Sequence, residues 1–370
     1  MVRVGKFEIV LNKEDAVYYA GDVVDGVIHL QMKEEQTCRG VRVRFTGECH
    51  TNVKDHEGDS ADDEYEVYFD NIITVFGNEK GEGQLAGENT YLQPGSHEYP
   101  FSYKLPHQNL PSSFEFGKQS VRYYIKSYID IHNGTDKAAK KFFTVIKPLD
   151  LNSNQDWLKP HHSDESKMFP NMCCGGSKMN IWAEVPRIGY LPGESILIRG
   201  AIQNKTRRPI KETKAILYQQ IQYRTKKKSD TTFRAIAVLE KQKNVSTWDN
   251  DVLRIPSCVP SELDGCSLID VRYILRVLVN PSPTSSDIAV TFEITIGTEP
   301  PRQTPTVTSP EMVHLGFPLE STPPEPVPLP AYSHRSFVDC VFGQVTPMDI
   351  RDPDPDSSRF APKYCFYNFS

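Results

Sequence analysis

The chain has 370 residues, a net charge of −6 and a hydrophobic content of 38%, which together indicate two domains with sizeable cores. It contains no run of about 18 apolar residues, which excludes a transmembrane helix, and its charge is far from that of a basic nucleic-acid-binding protein. The first residues, Met1-Val2-Arg3-Val4, lack an apolar signal core, so we expect a cytoplasmic protein. The eight cysteines form no Cys-x-x-Cys pair and are expected to be reduced thiols.

Residues 1–150 alternate between apolar and other residues with a period of two. Val41-Arg42-Val43-Arg44-Phe45 is one such run, and Val121, Tyr123 and Ile125 share one face of another. Many short runs of this kind, separated by Gly, Pro and Asn turns, predict a β-sandwich with a half-buried antiparallel pattern.

Residues 151–177 are polar and poor in β-branched residues, which predicts a packed connector between domains. His161, His162, Cys173 and Cys174 invite a zinc interpretation. Structural zinc sites usually space their thiolates by two to four residues, and adjacent cysteines reach one tetrahedral ion poorly. We therefore predict no metal here.

Residues 178–298 resume the strand pattern and repeat two features of the first domain. Tyr18-Tyr19-Ala20-Gly21-Asp22 matches Tyr190-Leu191-Pro192-Gly193-Glu194, since both read Tyr-x-x-Gly-acid. A Pro-Ser turn is followed about ten residues later by an Arg-Tyr strand in each half, at Arg122-Tyr123 and at Arg272-Tyr273. Recurrence in the same order predicts that one module is built twice.

Charge divides unevenly between the two predicted domains. Residues 1–150 hold 17 basic and 24 acidic side chains, whereas residues 178–298 hold 18 basic and 12 acidic ones. The difference fits docking of complementary domains. It also fits a basic surface that faces anionic membrane or an acidic partner.

Residues 299–370 contain half of the 28 prolines and are predicted to be a disordered, proline-rich tail. The chain carries no nucleophile elbow, P-loop or dinucleotide-binding fingerprint. We therefore predict neither enzymatic activity nor a cofactor.

An ordered set of motifs across residues 7–298 resembles the arrestin-domain-containing proteins, or α-arrestins. The matching residues are Tyr18-Tyr19-Ala20-Gly21-Asp22, Leu92-Gln93-Pro94-Gly95, Pro100-Phe101, Leu105-Pro106, Leu110-Pro111-Ser112-Ser113-Phe114, Arg122-Tyr123-Tyr124-Ile125-Lys126, Asp150-Leu151-Asn152, Gly189-Tyr190-Leu191-Pro192-Gly193-Glu194, Asn204 and Ile296-Gly297-Thr298. The resemblance implies two tandem arrestin-type, immunoglobulin-like β-sandwiches. It also implies a non-enzymatic trafficking adaptor that brings membrane receptors and transporters to WW-domain ubiquitin ligases for endocytosis, peripherally at the plasma membrane and endosomes.

The recruiting element of that family is usually Pro-Pro-x-Tyr, and this chain departs from it. It has Leu329-Pro330-Ala331-Tyr332 and Ala361-Pro362-Lys363-Tyr364, of which the first is similar to accepted WW-ligand variants. If Tyr332 does not bind a WW domain, it is an ordinary linker residue. The alternative for Tyr364 is an aromatic anchor that docks the tail on a sandwich edge. The other members of that anchor would be Phe360, Phe366, Tyr367 and Phe369.

A basic cluster, Lys226-Lys227-Lys228, is expected at a solvated hairpin tip that could contact anionic lipid. Arg207 and Arg208 could extend such a patch. Nucleic acid is not expected as a partner.

Two further functions stay open. A retromer-type sorting scaffold would bind coat subunits and would have little need of the proline-rich tail. A thiol-dependent redox-regulatory protein would use the free cysteines, although none are suitably spaced. Cys266, just ahead of a predicted strand, is expected to be a small buried apolar residue.

Overall fold

A computed structural model describes residues 4–54, 61–77, 90–131, 137–169, 176–206, 208–241, 243–281, 287–301, 341–344 and 360–367. These residues form β-strands almost throughout, which confirms the predicted all-β fold of two tandem sandwiches. No helix in this part of the chain is long and apolar enough to cross a membrane.

The first domain pairs a three-stranded sheet, in the order β1-β3-β8, with a six-stranded sheet, in the order β2-β11-β10-β5-β6 with β9 beside β10. Its strands are β1 Val4–Leu11, β2 Val17–Tyr18, β3 Val23–Met32, β4 Gln36–Cys38, β5 Gly40–Lys54, β6 Ala61–Gly77, β7 Thr90–Leu92, β8 Gly95–Lys104, β9 Phe114–Phe116, β10 Gln119–Asp130 and β11 Ala138–Val145.

The second domain pairs a four-stranded sheet, β12-β13-β15-β18, with a five-stranded sheet, β14-β20-β19-β16-β17. Its elements are two 3-10 helices, Leu151–Ser153 and Gln155–Leu158, and the strands β12 His161–Phe169, β13 Ser177–Val185, β14 Gly189–Tyr190, β15 Ser195–Asn204, β16 Glu212–Arg224, β17 Ser229–Lys241, β18 Thr247–Arg254, β19 Ile269–Asn280 and β20 Ile288–Ile296. Two later strands, β21 Val341–Gln344 and β22 Lys363–Phe366, pair with each other.

Period-two alternation places the core as expected. Val121, Tyr123 and Ile125 on β10 are fully buried, as are Val43 and Phe45 on the neighbouring β5. Successive side chains of a strand point to opposite faces, so one face of each run packs against the facing sheet.

The segment predicted as a connector, residues 151–177, is partly a strand. Nine of its residues form β12, which pairs with β13 from His161 beside Val185 to Phe169 beside Ser177. β12 lies at the edge of its sheet and most of its side chains are exposed, so its composition is polar. A polar edge strand lacks the apolar alternation by which sequence reveals strands, which explains why the sequence did not indicate β12.

The Tyr-x-x-Gly-acid motif of the first domain is a tight turn. The Asp22 amide donates to the Tyr19 carbonyl at 3.0 Å, and the Asp22 carboxylate accepts from the Tyr19 amide at 2.9 Å. Gly21 has φ of +87°, which a residue with a Cβ rarely adopts. The glycine therefore permits the turn and the acid closes it.

Each turn follows a two-residue strand that pairs in parallel with the last long strand of its domain. β2 pairs with β11, and β14 pairs with β20. The Ile146 amide donates to the Tyr18 carbonyl at 3.0 Å, and the Gly297 amide donates to the Tyr190 carbonyl at 2.8 Å. These parallel pairs depart from the antiparallel pattern that alternation predicted.

The Pro-Ser turn and the Arg-Tyr strand are also joined in the same way in both halves. The Tyr123 hydroxyl donates to the Pro111 carbonyl at 2.7 Å, and the Tyr273 hydroxyl donates to the Val259 carbonyl at 2.6 Å. Both tyrosines are buried, so each bond satisfies a hydroxyl that would otherwise be costly to bury. The structure thus shows the same module twice.

Candidate functional site

The turn of the second domain carries a buried ion pair between Arg187 and Glu194. The Leu191 amide donates to the Glu194 carboxylate at 2.7 Å, as in the first turn. Arg187 donates to both oxygens of that carboxylate at 2.9 Å. Arg187 is 2% exposed and Glu194 is 1% exposed. A bidentate, desolvated pair of this kind holds the turn rigid at the junction of the two domains.

The chain returns to this junction near its end. On the first domain, the Lys363 amide donates to the Thr144 hydroxyl at 3.1 Å. The Tyr364 hydroxyl donates to the Ser113 carbonyl at 2.9 Å, and its side chain is 4% exposed. Burial raises the pKa of the Tyr364 phenol well above its usual value, so the hydroxyl keeps its proton and remains a donor.

The next residues contact the second domain. The Tyr367 amide donates to the Pro192 carbonyl at 3.0 Å, and the Tyr367 hydroxyl donates to the Thr298 carbonyl. A Cβ on Gly193 would collide with the Tyr367 carbonyl oxygen. The turn glycine therefore has a second role, since the absence of a Cβ allows the tail backbone to approach closely.

Residues 360–367 thus lie in a crevice between the two domains, and we call this crevice together with the segment the interdomain seam. Its apolar centre is a cluster from both domains and the tail, formed by Val17, Ile146, Leu151, Leu158, Leu191, Cys365 and Tyr367. The outer part of the tail segment is aromatic. Phe360 stacks on Phe142 at 5.0 Å between ring centroids, and Arg254 lies over the Phe366 ring at 5.5 Å.

The second tail motif, Ala361-Pro362-Lys363-Tyr364, lies in the seam, and its binding to a WW domain stays a prediction. Pro362 and Tyr364 are both buried, so a WW domain cannot contact them while the segment is docked. The aromatic anchor is the arrangement that the structure has. Leu329, Pro330 and Tyr332 lie outside the described residues.

We expect Tyr364→Phe to weaken docking of the tail segment. The change keeps the ring but leaves the buried Ser113 carbonyl without the phenol, which costs about 1–2 kcal/mol. Hydrogen exchange at the Tyr367 amide should then speed up by roughly 5- to 30-fold. The control is Tyr91→Phe, at a tyrosine that is 55% exposed on β7. An unchanged exchange rate at Tyr367 would show that this bond does not hold the segment.

The predicted lysine cluster lies at the hairpin tip between β16 and β17, against the first domain. Lys226 Nζ is 3.0 Å from a Glu64 carboxylate oxygen, and Lys227 and Lys228 each lie 3.7 Å from Asp62. Asp62 and Glu64 belong to β6 of the acidic first domain. Opposite charges of the two domains therefore meet at this tip.

Arg208 does not join the lysines in one patch. It precedes β16 whereas the lysines follow it, and 13 residues of strand separate the two places by about 40 Å. The Arg208 guanidinium lies 5.0 Å from the centre of the Phe169 ring. Arg207 lies outside the described residues.

Among the described residues, no group of three His, Cys, Asp or Glu side chains is placed to hold a metal ion. His161 and His162 are consecutive on β12. Successive residues of a strand point to opposite faces, so the two rings diverge. Cys173 and Cys174 lie outside the described residues.

Comparison with known proteins identifies both halves of the chain. A family model for "Arrestin (or S-antigen), N-terminal domain" matches residues 7–152, and one for "Arrestin (or S-antigen), C-terminal domain" matches residues 176–301. The chain is similar to arrestin domain-containing protein 1 of Rattus norvegicus, with 28% identity over 312 residues, 82% of this chain and 67% of the relative. It is also similar to arrestin domain-containing protein 17 of Caenorhabditis elegans, with 25% identity over 304 residues, 77% of this chain and 69% of the relative. With arrestin domain-containing protein 4 of Mus musculus the identity is 27% over 296 residues, 76% of this chain and 69% of the relative.

Proposed function

Because the chain belongs to the arrestin-domain-containing family of α-arrestin type, we propose that it is a non-enzymatic adaptor that links membrane cargo to WW-domain ubiquitin ligases for endocytosis and transport. The observation that carries the proposal is the position of Tyr332. It lies between Pro301, where the described part of the second domain ends, and Val341, where β21 begins to pair with the tail strand β22 in the seam. A ligase bound there stays tethered to the two sandwiches from both sides.

The residues before Tyr332 suit a WW domain. Pro326, Pro328 and Pro330 alternate with other residues and favour polyproline II geometry. A segment that is already extended loses little conformational entropy on docking in an aromatic groove, and the tyrosine fills a second pocket. Leu329 replaces the first proline of the usual motif, so we expect weaker binding than for Pro-Pro-x-Tyr.

Cargo would bind to the sandwiches, for which β6 offers a surface. Within the part of the chain that the structure describes, it is the last strand in the order of its sheet, with β5 on one side. Tyr65 and Val67 on its outer face are each 59% exposed. An extended receptor or transporter tail can add to such an edge through its backbone, with apolar side chains covering the exposed face.

Contact with anionic membrane through Lys226, Lys227 and Lys228 would be weak. The Lys226 and Lys227 side chains are 84% and 78% exposed, yet the carboxylates of Asp62 and Glu64 lie beside them. Neighbouring carboxylates repel anionic lipid and cancel part of the attraction. Cargo is therefore the principal means by which we expect the adaptor to reach a membrane.

The test of ligase recruitment is binding of a peptide of residues 322–336 to isolated WW domains, followed by capture of WW-domain ligases by the full chain. We expect Tyr332→Ala to weaken peptide binding by about tenfold or more, since it removes the residue that fills the second pocket. It should abolish capture by the full chain.

Tyr91→Ala, at an exposed tyrosine outside the tail, is the matched control and should leave capture unchanged. Equal binding by the Tyr332→Ala peptide would rule out this motif. Capture of coat subunits in place of ligases, unaffected by Tyr332→Ala, would favour the retromer-type scaffold.

A further inference from the structure

A loop of the second domain packs tightly on the first domain. This loop, residues 262–268, precedes β19. Asp264 pairs with Lys147, and a Cβ on Gly265 would collide with the Asn109 carbonyl oxygen. The Ser267 amide donates to the Glu66 carboxylate at 2.9 Å. The loop is thus held against the first domain on both sides of Cys266.

The contact brings two free thiols together across the domain boundary. Cys266 Sγ is 3.6 Å from Cys49 Sγ, and the two residues are 217 positions apart in sequence. Cys49 on β5 is fully buried, whereas Cys266 is half-buried and is the more exposed of the two residues. Cys266 was predicted to be a small buried apolar residue, whereas in the structure it is half-buried and lies beside a second thiol.

The surroundings of Cys266 favour its thiolate. The pKa of Cys266 is lowered by hydrogen bonds to its sulfur, and burial opposes this effect. The groups that form these bonds are the Cys49 thiol, the Tyr68 hydroxyl and the backbone amides of Leu268 and Ile269. The Ile269 nitrogen lies 3.3 Å from that sulfur. The hydrogen bond to Cys266, together with burial, raises the pKa of Cys49. One thiol is thus poised to ionise while its neighbour keeps its proton.

We propose that Cys49 and Cys266 form an oxidisable dithiol that takes hydrogen peroxide or a related hydroperoxide as its substrate and closes a disulfide between the two domains. Cys266 is the attacking residue because it is the more exposed of the two. Cys49 is the resolving residue.

The reaction balances in two steps. The Cys266 thiolate attacks one peroxide oxygen, an S–O bond forms, the O–O bond breaks, and the other oxygen leaves as water after taking a proton. The Cys49 sulfur then attacks the Cys266 sulfur, an S–S bond forms, and the sulfenic oxygen leaves as a second water with the Cys49 proton. The peroxide is reduced by two electrons and the two thiols are oxidised to one disulfide.

Little movement is needed for closure. The sulfurs must approach from 3.6 Å to about 2.05 Å, the length of a disulfide bond. Cys266 lies in a loop, which can adjust more easily than the central strand β5 that holds Cys49. The bridge would then join the second domain covalently to the first and oppose any separation of the two.

The test is mild oxidation of the reduced full-length chain with hydrogen peroxide at neutral pH, followed by alkylation, digestion and mass spectrometry without reductant. We expect the peptide that links Cys49 to Cys266 as the main disulfide, reversed by dithiothreitol. In Cys49→Ala, a sulfenic acid should accumulate at Cys266 and react with dimedone.

The matched control is Cys258→Ala. Cys258 is buried in the second domain, and burial raises its pKa to about 12, so we expect the linked peptide to form in this variant at the wild-type rate. The proposal fails if the folded wild-type chain yields no linked peptide. It also fails if Cys266 couples equally to other cysteines, or if Cys258 reacts with peroxide as fast as Cys266. The presence or absence of the linked peptide in the wild-type chain tests the proposal even if Cys49→Ala does not fold.

Discussion

Replacing Gly193 with alanine is expected to release the tail segment from the seam and to destabilise the second domain. Two effects act together. Gly193 has φ of +98°, a conformation that costs a residue with a Cβ about 1–2 kcal/mol. The new Cβ would also meet the Tyr367 carbonyl oxygen, which is backbone and cannot turn aside as a flexible side chain can.

The measurement is limited proteolysis and hydrogen exchange of residues 360–367, together with urea unfolding. We expect the Tyr367 amide to lose its protection. Gly117→Ala is a matched control, because Gly117 also has a positive φ, of +59°, but its Cβ would meet nothing within 4 Å. Gly117→Ala should show the conformational cost alone. An equal loss in both variants would mean that the close approach of Tyr367 contributes nothing.

Neutralising Glu194 is expected to be the second large effect. Glu194→Gln keeps an oxygen that can accept from the Leu191 amide, but it leaves the Arg187 charge buried without its counter-charge. Breaking one partner of a buried pair in this way costs about 3–5 kcal/mol. Urea unfolding should show the loss as a lower midpoint with an unchanged slope.

The double variant Arg187→Met, Glu194→Gln is expected to recover part of this stability, because it removes the unpaired charge as well. Asp70→Asn is the matched control on the surface. Asp70 pairs with Arg44 where the two side chains are 35% and 44% exposed, and an exposed pair contributes about 0–1 kcal/mol. If Glu194→Gln costs no more than Asp70→Asn, the buried pair does not stabilise the turn.

Local patterns predicted the architecture because they are properties of neighbouring residues. Alternation at Val121, Tyr123 and Ile125 reports a buried face directly. The two Tyr-x-x-Gly-acid runs report turns, since Gly21 and Gly193 supply the positive φ. Both kinds of signal are complete within a few residues of sequence.

Contacts between distant residues had no such signal. Tyr367 approaches Gly193 from 174 positions away and Cys266 approaches Cys49 from 217 positions away, and no periodicity connects these residues. The aromatic residues around Tyr364 did indicate an anchor, but not the surface that receives it. The sequence did not indicate the strand β12 for a different reason, because its polar composition resembles that of a linker.

The tail segment also sets an order of assembly during synthesis. Each sandwich contains its own strands and can begin to fold as soon as the ribosome has released them, the first domain ahead of the second. The seam is different, because Tyr364 and Tyr367 are translated more than 60 residues after β20 ends at Ile296. Until then its apolar residues face an open crevice. A nascent or prematurely terminated chain would therefore hold two folded domains with an exposed apolar seam between them. Chaperones and quality-control proteases recognise such a state by its exposed apolar surface.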